Sequence, residues 1–216
     1  MNNKDLAKLA ENALKEKYPH AKCSLVYEKP HELLIAVRLS AQCTDARVNI
    51  VTPALFDKYK SVDDFANANV EDVENIIKSC GLYKTKARDI VNMCKQIRDE
   101  FGGVVPKEMD ELVSLSGVGR KTANLIRGDI FGEPAVVVDT HCIRITARLG
   151  FHDEKNPVKI EKILAESLSA EGSSDFCHRL VLHGRAVCKA RSPQCGICNM
   201  KDFCKYAKTE KNDKSS

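Results

Sequence analysis

The chain has 216 residues, 43% of them apolar and 30% charged, with a formal net charge of +4. That length suits one compact domain or two small ones, and its longest apolar runs (33–37 and 135–138) are too short to span a membrane. Residues 1–17 alternate charge with Leu and Ala and hold no signal-peptide block, so a cytoplasmic protein is expected, and its ten cysteines read as core filler, metal ligands or catalysts rather than disulfides.

In chain order the apolar spacing is helical nearly throughout. Ala87, Ile90, Val91, Cys94 and Ile97 form one face of an amphipathic helix. Leu112 and Leu115, then Leu125, Ile126 and Ile130, repeat that spacing on either side of a glycine turn. Residues 142–149 read as a helix after Asp139. Phe176, Leu180, Val181 and Val187 mark another, with Ser173 or Ser174 as its N-cap. Breaks are expected at Pro53, at Gly81, over 102–106 and 132–134, and at Asn156-Pro157. The only strand-like run is 135–138, too short for a sheet. These signs predict an all-α protein of about ten helices, with a disordered polar tail over 208–216.

The glycine turn is Gly117-Val118-Gly119-Arg120-Lys121. Its glycines allow positive φ and close approach of backbone amides to a phosphate, and residues 117–128 hold three cations (Arg120, Lys121, Arg127) and no acid. This is the pattern of a helix-hairpin-helix motif gripping a DNA backbone; a lone G-x-G is also that of a tight helix–helix turn. Lys121 carries the most chemical promise. A free lysine titrates near about 10.4, so a nucleophilic amine must be shifted down, and a helix N-terminus, Arg120 and partial burial would all push that way. A plain phosphate-binding cation fits the local sequence equally well.

Asp139 follows the apolar run 136–138. An Asp before a helix is most often its N-cap, yet such a run can also aim a carboxylate inward as a general base or a stabiliser of positive charge. His141 reads first as a structural histidine, and Arg144 suits a phosphate or an acid equally.

Cys188, Cys195, Cys198 and Cys204 stand at C-x6-C-x2-C-x5-C. Pro193, Gly196 and Asn199 between them let a short chain wrap around a point. Zinc is the plainer alternative, but a zinc ribbon pairs two C-x2-C knuckles and only one is present. The ferredoxin run is also absent, so one cubane cluster held by four thiolates fits better. Cys23, Cys43, Cys80, Cys94, Cys142 and Cys177 are scattered and read mostly as filler. Around the four-cysteine loop, Arg185, Lys189, Arg191, Lys201, Lys205 and Lys208 face Asp202 alone. A basic loop pinned by a metal group suits phosphate contact.

Together these residues resemble the endonuclease III family of DNA glycosylase/AP lyases, in the helix-hairpin-helix, Gly/Pro-loop, Asp superfamily. The resemblance runs from about Leu33 to Cys204. It is carried by Leu39-Ser40-Ala41-Gln42-Cys43-Thr44-Asp45, Gly81-Leu82-Tyr83-Lys84-Thr85-Lys86-Ala87, Gly117-Val118-Gly119-Arg120-Lys121-Thr122-Ala123, Val138-Asp139-Thr140-His141 and the four-cysteine loop. It implies two helical lobes flanking a DNA cleft. One is a six-helix barrel over 22–133, with the hairpin at about 108–131. The other joins 1–21 to 134–216 and holds a 4Fe–4S cluster at 188–204.

The resemblance also implies roles. Lys121 is the nucleophile and Asp139 the essential carboxylate, with the cluster on Cys188, Cys195, Cys198 and Cys204. Gln42 and Leu82 enter the duplex and fill the space left by a flipped base, although Leu82 could instead be a local apolar cap contact. Gly117, Val118, Gly119, Arg120, Arg144, Lys189 and Arg191 contact DNA, while Ser40, Asp45 and His141 line the pocket. One departure is visible: Ser116 stands where the family usually has proline, and a small loss of hairpin rigidity is expected.

The implied activity is that of a monomeric base excision repair enzyme, nucleoid-associated while scanning DNA. It removes oxidised pyrimidines from duplex DNA and cuts 3′ to the abasic site by β-elimination through a lysine Schiff base. The rivals are a monofunctional mismatch glycosylase of the same superfamily and a non-catalytic DNA-binding iron–sulfur module. Which lesion is preferred is not legible.

Overall fold

A computed structural model describes residues 1–213, with side chains to residue 209. Among the described residues there are twelve α-helices and no strand. The chain divides into two compact units: Cys23–Phe131, and Met1–Lys22 together with the chain from Gly132 onward.

The first unit is built on α2 (Pro30–Ser40). Pro30 opens this helix, and the Glu32 carboxylate accepts from the Glu28 and Lys29 amides (2.7 and 3.2 Å), a capping arrangement that satisfies donors the helix leaves over. Six consecutive residues, His31 to Ala36, are buried, so α2 is enclosed by its neighbours. The unit also holds α3 (Asp45–Lys58), α4 (Val62–Ala66), α5 (Val70–Ile77), α6 (Tyr83–Phe101), α7 (Met109–Ser114) and α8 (Arg120–Asp129), of which α3, α6 and α8 pack on α2. Leu33, Leu39, Leu55, Phe65, Ile77, Ile90, Ile97, Leu112 and Ile126 meet in one core. The six expected barrel helices become seven because Ser61 and Asp64 form a capping box that gives α4 a helix of its own.

The second unit joins α1 (Asn3–Lys17) to α9 (Thr140–Leu149), α10 (Pro157–Ser167), α11 (Ser173–Ala186) and α12 (Lys205–Asp213). The apolar face of α1, Leu6, Ala7, Ala10 and Leu14, is buried, and the helix packs on α10 and α11; α9 packs on α11 and α12.

Three expectations need correction. Pro53 does not break the chain but sits inside α3. Proline forfeits one amide bond there, but Val48, Val51 and Leu55 are buried on both sides of it, and that burial outweighs the loss. Neither Ser173 nor Ser174 caps α11, whose N-cap is Gly172; the Ser173 hydroxyl instead accepts from the Ala135 amide at 3.0 Å. Finally, residues 208–213 of the expected disordered tail continue α12. Buried Ala207 and Tyr206, whose ring lies 4.7 Å below the Arg148 guanidinium, anchor that helix. Residues 214–216 lie outside the described residues.

Candidate active site and cluster loop

The hairpin turn is held by two linked pieces of chain. Gly117 has φ +76°, and a Cβ there would lie 2.7 Å from Arg38 Nε and 3.1 Å from Asp89 Cβ. Arg38 donates to Asp89 Oδ2 through Nε (2.8 Å) and Nη2 (2.5 Å), so the glycine admits an ion pair directly beneath the turn. Gly117→Ala is expected to cost about 1–3 kcal/mol, read as a lowered urea midpoint at unchanged slope. Ser116 is held by a bond that proline cannot make: its amide donates to Gln96 Oε1 at 2.8 Å, and Gln96 Nε2 donates to Ser114 O at 3.2 Å. The rigidity expected to be lost at this position is thus restored by Gln96.

Gly119 is the N-cap of α8 and supplies no side-chain cap. The first amides of α8 lie at the positive end of the helix, and the N-cap residue has no side chain to offer them. Arg120 and Lys121 are exposed. The partial burial expected for Lys121 is absent, because the second residue of a helix on an outward turn has no neighbour to cover it.

Asp139 is the N-cap of α9. Its Oδ1 accepts from the Cys142 amide at 2.7 Å, and Oδ2 makes no hydrogen bond among the described residues. The extended run before it is laid against α11: Ala135 N donates to Ser173 Oγ (3.0 Å) and Val137 N to Cys177 Sγ (3.2 Å). Cys177, read as filler, thus helps aim the segment that delivers Asp139. Asp139 belongs to the same unit as the cysteine loop, and Lys121 belongs to the other.

Arg144 bonds within its own unit. Its Nε and Nη2 donate to Cys188 O (3.3 and 3.0 Å), Nη1 donates to Thr140 O (3.4 Å) and Nη2 lies 3.1 Å from His141 Nδ1. The side chain supports the cysteine loop from within its own unit. His141 is half-buried between Arg144 and α11, where Gly184 makes room for the His141 ring and the Arg144 guanidinium. In the other unit, Ser40 Oγ turns back to Val37 O (2.9 Å) and Asp45 Oδ2 accepts from Ser24 Oγ (2.6 Å). Gln42 and Leu82 are exposed and both adopt left-handed backbone (φ 54° and 47°).

None of the ten cysteines is in a disulfide, and the four of the loop line one cavity walled also by Val187, Pro193, Tyr206 and Ala207. Burial pushes the Cys198 and Cys204 thiols up, and the nearby Cys188 adds to this. Thiolates gathered in this way need positive charge among them. Four soft donors around one cavity suit an iron–sulfur group.

Two residues beside the cavity were not foreseen. Arg148 Nη1 donates to Cys188 Sγ (3.3 Å) and Lys189 O (2.7 Å), and Nη2 to Ala190 O (3.0 Å). His183, held neutral by burial with its pKa lowered to about 4, lies 3.5 Å from Cys198 Sγ through Nε2 and 3.3 Å from Tyr18 Oη through Nδ1. The available signal for Arg148 was its i+4 spacing from Arg144 on α9. Arg148→Ala is expected to speed bleaching of the visible iron–sulfur absorbance about tenfold; Arg148→Lys, which keeps the charge but not the fork, should bleach nearly as fast. Lys189 and Arg191 are exposed on the loop, where Ser192 also takes positive φ (51°).

Residues 35–170 match the family model of HhH-GPD superfamily base excision DNA repair proteins, and residues 188–204 that of the iron–sulfur binding domain of endonuclease III. Endonuclease III of Bacillus subtilis is 47% identical over 91% of this chain and 90% of its own length. The Escherichia coli K12 enzyme is 42% identical over 89% and 92%. A solved non-covalent endonuclease III–DNA complex and a trapped endonuclease III–DNA covalent intermediate each superpose with a TM-score of 0.90 at 43% identity, covering 98% of this chain and all of theirs. A thermostable thymine-DNA glycosylase, at 22% identity and a TM-score of 0.88, shares the fold.

The hairpin, the capped aspartate and the helical fold define a helix-hairpin-helix base excision DNA repair protein. Within that class the chain belongs to the endonuclease III family. It is an enzyme, a DNA glycosylase and abasic-site lyase, with DNA as its partner and a 4Fe–4S cluster as its cofactor.

Proposed function

We propose that Lys121 is the nucleophile, Asp139 the assisting carboxylate, and an oxidised pyrimidine in duplex DNA the substrate. One observation carries the reading: an exposed lysine at the second position of a helix whose N-cap is a glycine with no side chain of its own. The leading amides of that helix, with Gly117, Val118, Gly119 and Arg120, suit a phosphate. Docked DNA then supplies the removal of water from the amine that the protein alone does not provide.

The damaged nucleotide is flipped out of the stack, at lower cost than an intact one. Gln42 and Leu82 fill the space it leaves. The amine of Lys121 forms a bond to C1′ as the glycosidic C1′–N bond breaks, and the base departs with the bonding pair. Asp139, through Oδ2, takes up the proton shed by the amine or stabilises the positive sugar. The sugar ring opens to an imine, which acidifies C2′; loss of that proton expels the 3′ phosphate and cuts the strand. The cluster supplies structure, pinning the basic loop of Lys189 and Arg191 against the backbone. Ser40, Asp45 and His141 border the flipped base. We place the protein in the cytosol as a monomer.

Borohydride added during turnover of a duplex with a single oxidised pyrimidine tests this reading. A covalent protein–DNA adduct supports it. Base loss with no adduct would assign a monofunctional glycosylase instead.

A further inference from the structure

Lys86 is fully buried, and among the described residues every other lysine is exposed or half-buried. An ammonium taken from water is unfavourable unless charge-assisted bonds replace its hydration, and burial does lower the pKa of this group. An apolar side chain at this core position of α6 would avoid that cost. The bonds Lys86 makes tell what the charge is for. Nζ donates to Leu39 O at 2.8 Å and to Cys80 O at 2.7 Å. Leu39 lies three residues before Gln42, in the last turn of α2, where a cation also meets the negative end of the helix. Cys80 lies two residues before Leu82, at the end of a short 3₁₀ turn. The Lys86 amide in turn donates to Leu82 O at 3.1 Å.

The two segments so joined share a second property. Among the described residues three non-glycine positions take positive φ: Gln42, Leu82 and Ser192. Two of these three flank the one ammonium. Left-handed backbone at residues with a Cβ persists only where the surroundings over-determine it. Leu82 is 57% exposed, so its conformation gains little from packing of its own side chain, and the restraint has to come from beneath.

We propose that Lys86 is a positioning residue for the DNA wedge: by bridging the Leu39 and Cys80 carbonyls it sets the separation and strained conformation of Gln42 and Leu82 before DNA arrives. The proposal rests on the reading of those two residues as the duplex-entering pair. It assigns Lys86 no contact with substrate.

The test compares Lys86→Met and Lys86→Gln with Leu82→Ala on two substrates, a duplex carrying one abasic site and the same abasic strand alone. A second measurement follows the fluorescence of 2-aminopurine placed opposite a tetrahydrofuran abasic analogue in the duplex. Lys86→Met is expected to lower kcat/KM on the duplex roughly ten- to a hundredfold and to diminish the fluorescence rise at saturating protein. Cleavage of the single strand, which has no gap to fill, should stay within about twofold of wild type. In the Leu82→Ala background the duplex loss from Lys86→Met should largely vanish, since coupled residues are not additive. Lys86→Gln, with two donors on a shorter stem, should fall between, and it carries the test if Lys86→Met does not fold. Equal losses on both substrates, or an additive double variant, would overturn the proposal by reducing Lys86 to a general stability residue. If Leu82→Ala itself leaves the duplex rate unchanged, the wedge reading fails. If Leu82→Ala lowers the duplex rate and neither Lys86 variant does, the wedge stands and the role of Lys86 alone is wrong.

Discussion

Lys121→Gln is expected to lower strand cleavage about a thousandfold or more while duplex affinity falls only a few fold. The reaction as proposed makes its covalent bond through one nitrogen, and glutamine's amide nitrogen has no basic lone pair to offer. Binding rests on other groups: the leading amides of α8, the backbone of the 117–119 turn and Arg120. Glutamine preserves helix propensity at this position, so stability should be unchanged. Three readouts separate the parts. Borohydride trapping should fall below detection, filter binding to an uncleavable abasic analogue should hold, and the slope of log affinity against log salt should decrease by about one unit for the lost cation. If Lys121→Gln still forms a trapped adduct, another amine is the nucleophile. If it loses binding in proportion to cleavage, Lys121 is only a phosphate contact, the role its local sequence equally allowed.

The parts of this protein legible in its sequence are those whose chemistry is local. Four cysteines within seventeen residues declare a metal loop because the wrapping is done by the intervening chain, and the structure lines one cavity with all four. The glycine turn and the cap at Asp139 are equally local: φ +76° at Gly117 and the Asp139–Cys142 bond need only a few residues each. What sequence did not disclose depends on partners brought from far along the chain. Lys86 sits in Lys84-Thr85-Lys86 and reads as solvated; only its register with Ala87 and Ile90 marks the buried face, and its acceptor at Leu39 is 47 residues away. Arg148 meets the cluster loop across about forty residues, and Gln96 reaches Ser116 across twenty. Pro53 misled because a single-residue rule was applied where the apolar faces on both sides already specified a helix. The bonds of Arg144 to the Cys188 carbonyl were likewise invisible, since they join residues 44 apart.

Asp139 combines two roles that substitutions can pull apart. Asparagine caps a helix about as well as aspartate, whereas alanine does not. Asp139→Asn should therefore keep the bond to the Cys142 amide, and unfolding stability should change by less than about 1 kcal/mol, the residual being the lost interaction of the carboxylate with the α9 dipole. Activity should nonetheless fall about a hundred- to a thousandfold, because the amide can neither take the proton shed by the Lys121 amine nor oppose the positive charge on the sugar. Asp139→Ala should show the same rate loss with about 1 kcal/mol of added instability from the unfilled cap. Single-turnover trapping gives the rate and thermal unfolding gives the stability. Equal destabilisation of both variants would mean that the cap depends on charge rather than on the oxygen. Full activity in Asp139→Asn would leave Asp139 as a helix cap alone, and a different group would have to be sought for the carboxylate's part in the reaction. The expected pattern, one substitution silent in stability and the other not, with both crippled in catalysis, is one that neither a purely structural nor a purely catalytic residue can produce.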